Sequence, residues 1–211
     1  MKTRTFASLA TATLLSLATT AAQANLLSNG GFETGDFSGW TLSGNPPLGH
    51  GVGSVGQVIP DGVYGPGAVM THGGSFAAWA VTRGYYGEEL RLSQTLQLAA
   101  GDYSAGFFYA SNTGPYGNAM KIYLDGVALA SGGPDIGPSF LEQTAGFSLA
   151  SAGSHTLSFV ISGSGFGPGP FSADDFYLTS TSPVPEPSSA ALLVVGRAGL
   201  WSAGRLRRAR Q

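Results

Sequence analysis

The sequence predicts an all-β protein, an antiparallel sandwich or barrel, with helical segments only at its two ends. Three observations lead there. Apolar residues recur with period two in run after run, the signature of half-buried strands. Turns rich in Gly, Pro, Asn and Ser separate the runs at short intervals, as in antiparallel sandwiches. Between residues 25 and 182 no helical period survives.

The chain opens with Lys2 and Arg4, followed by an uncharged Ala/Leu/Thr stretch over 6–21 and then Ala22-Gln23-Ala24. A positive start, an apolar run and an A-x-A site describe a signal peptide over 1–24, cut between Ala24 and Asn25 by signal peptidase. Residues 43–74 are rich in Gly, Pro and Val and read as long loops with one strand over 54–59. Trp79 lies mid-strand in SFAAWAVT, on the same face as Ala77 and Val81. Leu90, Leu92, Leu96 and Leu98 mark the next strand; Tyr103, Ala105, Phe107 and Tyr109 line one face of another. Met120, Ile122 and Leu124 lead into Asp125-Gly126 and an apolar run over 127–130. Asp-Gly between two such runs signals a two-residue hairpin, because the primed turn needs positive φ. Strands over 140–149, 155–162 and 172–180 complete the series.

The formal charge of −2 conceals an asymmetry. Between residues 25 and 182 the basic residues are Arg83, Arg91 and Lys121, three against eleven acids, so the body carries −8. Binding nucleic acid requires a basic face that displaces counterions from phosphates, so that partner is excluded. Cysteine is absent, which removes disulfides, thiol nucleophiles and soft metal ligands.

The stretch NLLSNGGFETGDFSGW (25–40) resembles the opening strand of carbohydrate-binding-module-like jelly rolls. LSQTLQLAAGDYSAGFFY (92–109), IYLDGVAL (122–129) and SADDFYLTS (172–180) are similar to that family's later strands. The resemblance makes 25–182 a jelly-roll β-sandwich and implies a structural Ca²⁺ shared by Glu33 and either Asp174 or Asp175, with no catalytic cofactor. It also places Trp40 in the core.

VPEPSSAALLVVG followed by RLRRAR resembles the PEP-CTERM sorting signal of exported Gram-negative proteins, which an exosortase processes. That resemblance assigns 183–211 to a sorting tag, with Pro185, Glu186 and Pro187 at the processing site. Residues 188–204 make roughly 26 Å of helix against about 30 Å of hydrocarbon. Arg197 in the middle costs on the order of 3 kcal/mol to insert, so the span suits a transient inner-membrane anchor better than a permanent one. Arg205, Arg207, Arg208 and Arg210 would stay cytoplasmic and hold the body outside.

The body carries no sequence signature of catalysis. His155 falls on the Leu157/Phe159 face as a core or strand-end histidine, and His50 and His72 read as loop residues. No Gly-x-Ser-x-Gly elbow occurs. Gly51-Val52-Gly53-Ser54-Val55-Gly56 matches the dinucleotide pattern but opens no helix. Adjacent acids on a strand, Glu88-Glu89 and Asp174-Asp175, point to opposite faces and so do not aim at one glycosidic bond. Sugars lay their apolar faces on aromatic rings. Trp79, Tyr85, Tyr86 and Tyr116 are the candidates for that role, with Trp79 also a candidate for the core. Three function classes remain: a non-catalytic protein bound to extracellular polysaccharide, a structural matrix protein without a specific glycan, and an unrecognised glycan hydrolase.

Overall fold

A computed structural model describes residues 24–45, 49–60, 66–82, 88–111, 118–132, 137–163 and 169–181. Among them run β1 (Thr41–Ser43), β2 (Gly49–Ser54), β3 (Val58–Ile59), β4 (Gly67–Ala68), β5 (Phe76–Thr82) and β6 (Glu89–Leu98). Then follow β7 (Gly101–Ala110), β8 (Asn118–Leu124), β9 (Val127–Ser131), β10 (Leu141–Leu149), β11 (Gly153–Gly163) and β12 (Gly169–Ser180). The first sheet has the order β1-β6-β11-β8-β9 and the second β10-β7-β12-β5-β2, while β3 and β4 pair on their own. Every pairing is antiparallel. The expected sandwich is there. The expected terminal helices fall outside the described residues, among which no helix is long and apolar enough to cross a membrane.

Alternation builds the core as anticipated. Leu90, Leu92 and Leu98 of β6 face Tyr103, Ala105, Phe107 and Tyr109 of β7 in one buried cluster. Gln94 shares the phase of those leucines and is buried too. Its amide accepts from Ser28 N–H at 3.1 Å and donates to Ser28 C=O at 2.7 Å, so a buried polar group is satisfied by clamping the N-terminal segment. The Asp125-Gly126 hairpin forms as predicted, with φ of 50° and 81° and Leu124 opposite Val127. His155 is a strand-end histidine, its Nδ1 2.7 Å from Asp125 Oδ2.

Two expectations are corrected. Residues 25–40 form no strand; they are a run of turns. Phe32, Phe37 and Trp40 do not share a parity, so no single strand face buries all three. The turns bury Phe32 and Trp40 and pack a half-buried Phe37 against Phe32, with Phe32 at φ 54° and its N–H donating to Asn29 C=O. Phe32 and Trp40 each lie 5.4 Å from Phe176, and Phe176 stacks on Phe107 at 4.9 Å. Trp40 is core, as its motif implied. Second, residues 54–59 are not one strand: β2 ends at Ser54, and a turn at Val55 and Gly56 (φ 78°) leads to β3. His50 therefore lies in a strand, not a loop.

Candidate functional site

The outer face of the second sheet carries the arrangement with the most chemistry. A β-bulge in β12 sets it up. Asp174 pairs with Phe108 and Tyr177 with Gly106, so three steps on β12 oppose two on β7. Asp175 occupies the bulge with φ 47°, a left-handed conformation Asp tolerates. Phe176 and Leu178 then point into the core, and Tyr177 points out.

Gly106 gives Tyr177 its place. A methyl group on Gly106 would stand 2.6 Å from Tyr177 Cζ, so the hydroxyl end of the phenol passes over bare backbone. Beyond it, the Tyr177 hydroxyl donates to Glu142 Oε1 at 2.6 Å and lies 3.0 Å from Thr144 Oγ1, both on β10. Burial, then the hydrogen bond to Glu142, raises the pKa of that phenol. Phe108, one row up, stacks on the His72 ring at 3.7 Å and 6°, and Phe140 meets His72 edge-on at 5.4 Å. The result is an aromatic floor with an aromatic wall and carboxylate and hydroxyl groups at the rim.

A loop from Val69 to Phe76 lies over the upper part of this face. Met70 N–H donates to Ser172 Oγ at 2.9 Å, and His72 and Gly73 N–H donate to Asp174 Oδ2 at 2.8 and 3.1 Å. Asp174 Oδ1 accepts from Asp175 N–H at 2.7 Å. Asp174 is fully buried, and burial pushes its pKa up to about 6 against those three hydrogen bonds. Glu33 reaches the same loop and accepts from Ser75 and Phe76 N–H at 2.9 and 3.1 Å. His72 Nδ1 lies 2.7 Å from Asp175 Oδ2.

Glu33, Asp174 and Asp175 are thereby brought together, 141 positions of sequence notwithstanding. A methyl group on Gly31 would stand 3.3 Å from Asp175 Oδ1, 3.8 Å from Asp174 Oδ1 and 3.9 Å from Glu33 Cγ. The expectation that the adjacent aspartates point to opposite faces is corrected: the bulge puts both on the outer side. Carboxylate oxygens suit a hard cation by donor type, while the loop itself meets them with N–H donors. Among the described residues no group of three or more His, Asp or Glu is arranged to hold a metal ion.

Trp79 stands on the same outer face but in a small separate cluster with Ile59, Val69, Ala77 and Val81. Its indole lies on edge strand β2, where a methyl group on Gly51 would come within 2.9 Å of the ring. That is the use of Gly51 in the dinucleotide-like stretch; Gly53 makes room for Gln57 and Val69 instead, and Gly56 serves the turn by its φ of 78°. Asn25, expected as the first mature residue, is stitched to β12: its amide donates to Phe176 C=O at 2.8 Å and accepts from Leu178 N–H at 3.0 Å. Ala24 precedes it as exposed coil. Tyr85, Tyr86, Tyr116, Pro185, Glu186, Pro187 and the terminal arginines lie outside the described residues. His50 lines a cleft of about 250 Å³ with Leu42, Ser43, Gly44 and Leu90, smaller than most small-molecule sites.

No protein-family model matches the chain, and no curated protein does. Solved structures do. A family 61 carbohydrate-binding module, solved in complex with beta-1,4-galactotriose, superposes with a TM-score of 0.53 at 24% identity, over 74% of this chain and 99% of that one. The chain is built like a carbohydrate-binding module. The CBM22-1 xylan-binding domain of Paenibacillus barcinonensis Xyn10C gives a TM-score of 0.51 at 15% identity, covering 78% of this chain and all of its own. A cyclase from Fischerella sp. TAU, in complex with 4-(1H-indol-3-yl)butan-2-one, gives 0.56 at 18%, covering 77% and 100%. The fold thus hosts both binding modules and enzymes, so the site must decide the function.

Proposed function

We propose that this is an exported, non-catalytic protein that binds extracellular polysaccharide through the outer face of its second sheet. One observation carries the reading: the Tyr177 side chain crosses over Gly106 and ends with its hydroxyl between Glu142 and Thr144. A pyranose offers an apolar C–H face to such a floor and hydroxyls to such a rim. Export and exosortase sorting rest on the A-x-A site at Ala24 and the Pro185-Glu186-Pro187 tail with its arginines, which make the destination the cell surface or the matrix. A structural Ca²⁺ belongs to the same proposal. Glu33, Asp174 and Asp175 would close around it as its carboxylate ligands, neutralising a buried carboxylate and pinning the N-terminal turns to β12.

The test is binding to neutral β-linked glycans, galactan and xylan oligomers among them, by the protein and by Tyr177→Ala. Removing the floor is expected to weaken binding roughly tenfold or more while the fold stays intact by circular dichroism. Unchanged binding in Tyr177→Ala would move the site elsewhere. Binding to no glycan by the protein itself would favour the structural matrix reading.

A further inference from the structure

The two faces of the sandwich differ in charge. The strands of the second sheet hold Asp102, Glu142, Asp174 and Asp175 and neither lysine nor arginine. Arg91 and Lys121, the described cations, both belong to the first sheet, in β6 and β8. Arg91 is moreover spent locally: it pairs with Glu89 at 2.8 Å and lies over the Tyr123 ring at 4.8 Å. At the floor itself, Glu142 uses Oε1 to accept from Tyr177, and among the described residues its carboxylate has no basic partner.

We propose, building on the glycan reading above, that this site selects sugars bearing a free amine over neutral and acidic ones, and that Glu142 sets the preference. An ammonium on a pyranose seated over Tyr177 meets two groups at once. The electron-rich face of the phenol attracts a cation, and Glu142 Oε2 supplies a charge-assisted acceptor. A hydroxyl at the same place gains an ordinary hydrogen bond only. A uronate or sulfate meets a face of like charge, which rejects it. The hydrogen bond from Tyr177 matters here because it holds the exposed carboxylate beside the ring instead of leaving it to sweep through solvent.

The experiment measures dissociation constants, at low ionic strength and just below neutral pH, for β-1,4-linked oligomers of equal length. The four series are glucosamine, N-acetylglucosamine, glucose and glucuronate, each against the protein and Glu142→Gln. The amide keeps an oxygen for the Tyr177 hydroxyl and removes the charge. Glucosamine oligomers are expected to bind roughly five- to thirtyfold tighter than their acetylated or neutral counterparts, less so in high salt, with glucuronate weakest. Glu142→Gln should abolish that preference, bringing glucosamine down to the level of the neutral oligomers, which themselves lose one charge-assisted rim contact. Equal binding of glucosamine and N-acetylglucosamine, or a preference that survives Glu142→Gln, overturns the assignment while the glycan reading stands. Binding to none of the four series by the protein removes the glycan reading at this site and the assignment with it.

Discussion

Asp174 makes stability depend on pH in a direction opposite to that of most carboxylates, and replacing it by asparagine isolates the effect. The side chain is fully buried, and desolvation is the largest cause of a pKa raised from 3.8 to about 6. A carboxyl whose folded pKa exceeds its unfolded pKa binds its proton more tightly in the folded state. Its contribution is therefore complete below 3.8 and is lost as the pH rises through about 6. A difference of about two pKa units corresponds to roughly 2–3 kcal/mol across that window. Asparagine cannot titrate, so the difference in unfolding free energy between the protein and Asp174→Asn should shift by that amount between about pH 4 and pH 7. The absolute values matter less, since asparagine loses one of three amide bonds at a typical cost of about 1–3 kcal/mol. The measurement is urea unfolding of both proteins in chelator at both pH values. Parallel pH dependences would refute the claim that burial governs this carboxyl. Repeating it in excess Ca²⁺ adds a second arm. A cation on Asp174 favours the ionised form, so Ca²⁺ should raise stability most at neutral pH, by about 2.7 kcal/mol at a hundredfold excess over its dissociation constant. Superimposable curves in chelator and in Ca²⁺ would dispose of the calcium proposal and leave the burial argument intact.

Three further outcomes are expected. Gly106→Ala puts a methyl group against the Tyr177 ring, so it should tip the phenol off the sheet, cost about 1–3 kcal/mol in urea unfolding and weaken glycan binding together. Phe176→Ala empties the middle of the aromatic cluster and should cost about 3–5 kcal/mol, read as a lower midpoint at unchanged m-value. Asp125 has its pKa lowered chiefly by the His155 hydrogen bond, so its contribution is present above 3.8 and fades as the pH falls below that value. His155→Ala should move the Asp125 titration, followed by carboxyl NMR, upward toward 3.8.

The strands were legible because their apolar residues keep strict alternation, and the hairpin was legible because Asp125-Gly126 has one favoured geometry. The open face was not. Tyr177, Phe108 and Glu142 look like ordinary strand residues, since nothing local says that Gly106 leaves room for a ring or that His72 reaches Phe108 from 36 positions away. One signal was available: glycine inside a strand at Gly106 marks a close approach. The aspartates were misoriented for a related reason. Alternation applied to Asp174 and Asp175 assumes an unbroken ladder, and a bulge leaves little trace in sequence beyond a residue able to adopt positive φ. Residues 25–40 were misread because a recurrent motif was taken for a strand, although Phe32, Phe37 and Trp40 break the period that a strand requires.

The bulge at Asp175 ties the core to the open face. Upstream of it, Phe171 and Ala173 point inward while Ser172 and Asp174 point outward. In an unbroken strand the alternation would continue, sending Asp175 and Tyr177 into the core and Phe176 and Leu178 out to solvent. The extra residue resets the phase. Phe176 then reaches Phe32, Trp40, Phe107 and Phe159, and Tyr177 settles on Gly106. A buried aromatic cluster and a half-exposed aromatic floor thus depend on the same inserted residue, held by His72 Nδ1 at its carboxylate. Stability alone gives no reason for the arrangement, because a regular strand with the order of residues shifted by one would bury the same rings. What the bulge adds is a second carboxylate on the outer side and a phenol beside Glu142 on one solvent-facing surface. Bulges concentrate where a strand must re-aim a side chain for use, and this one re-aims two.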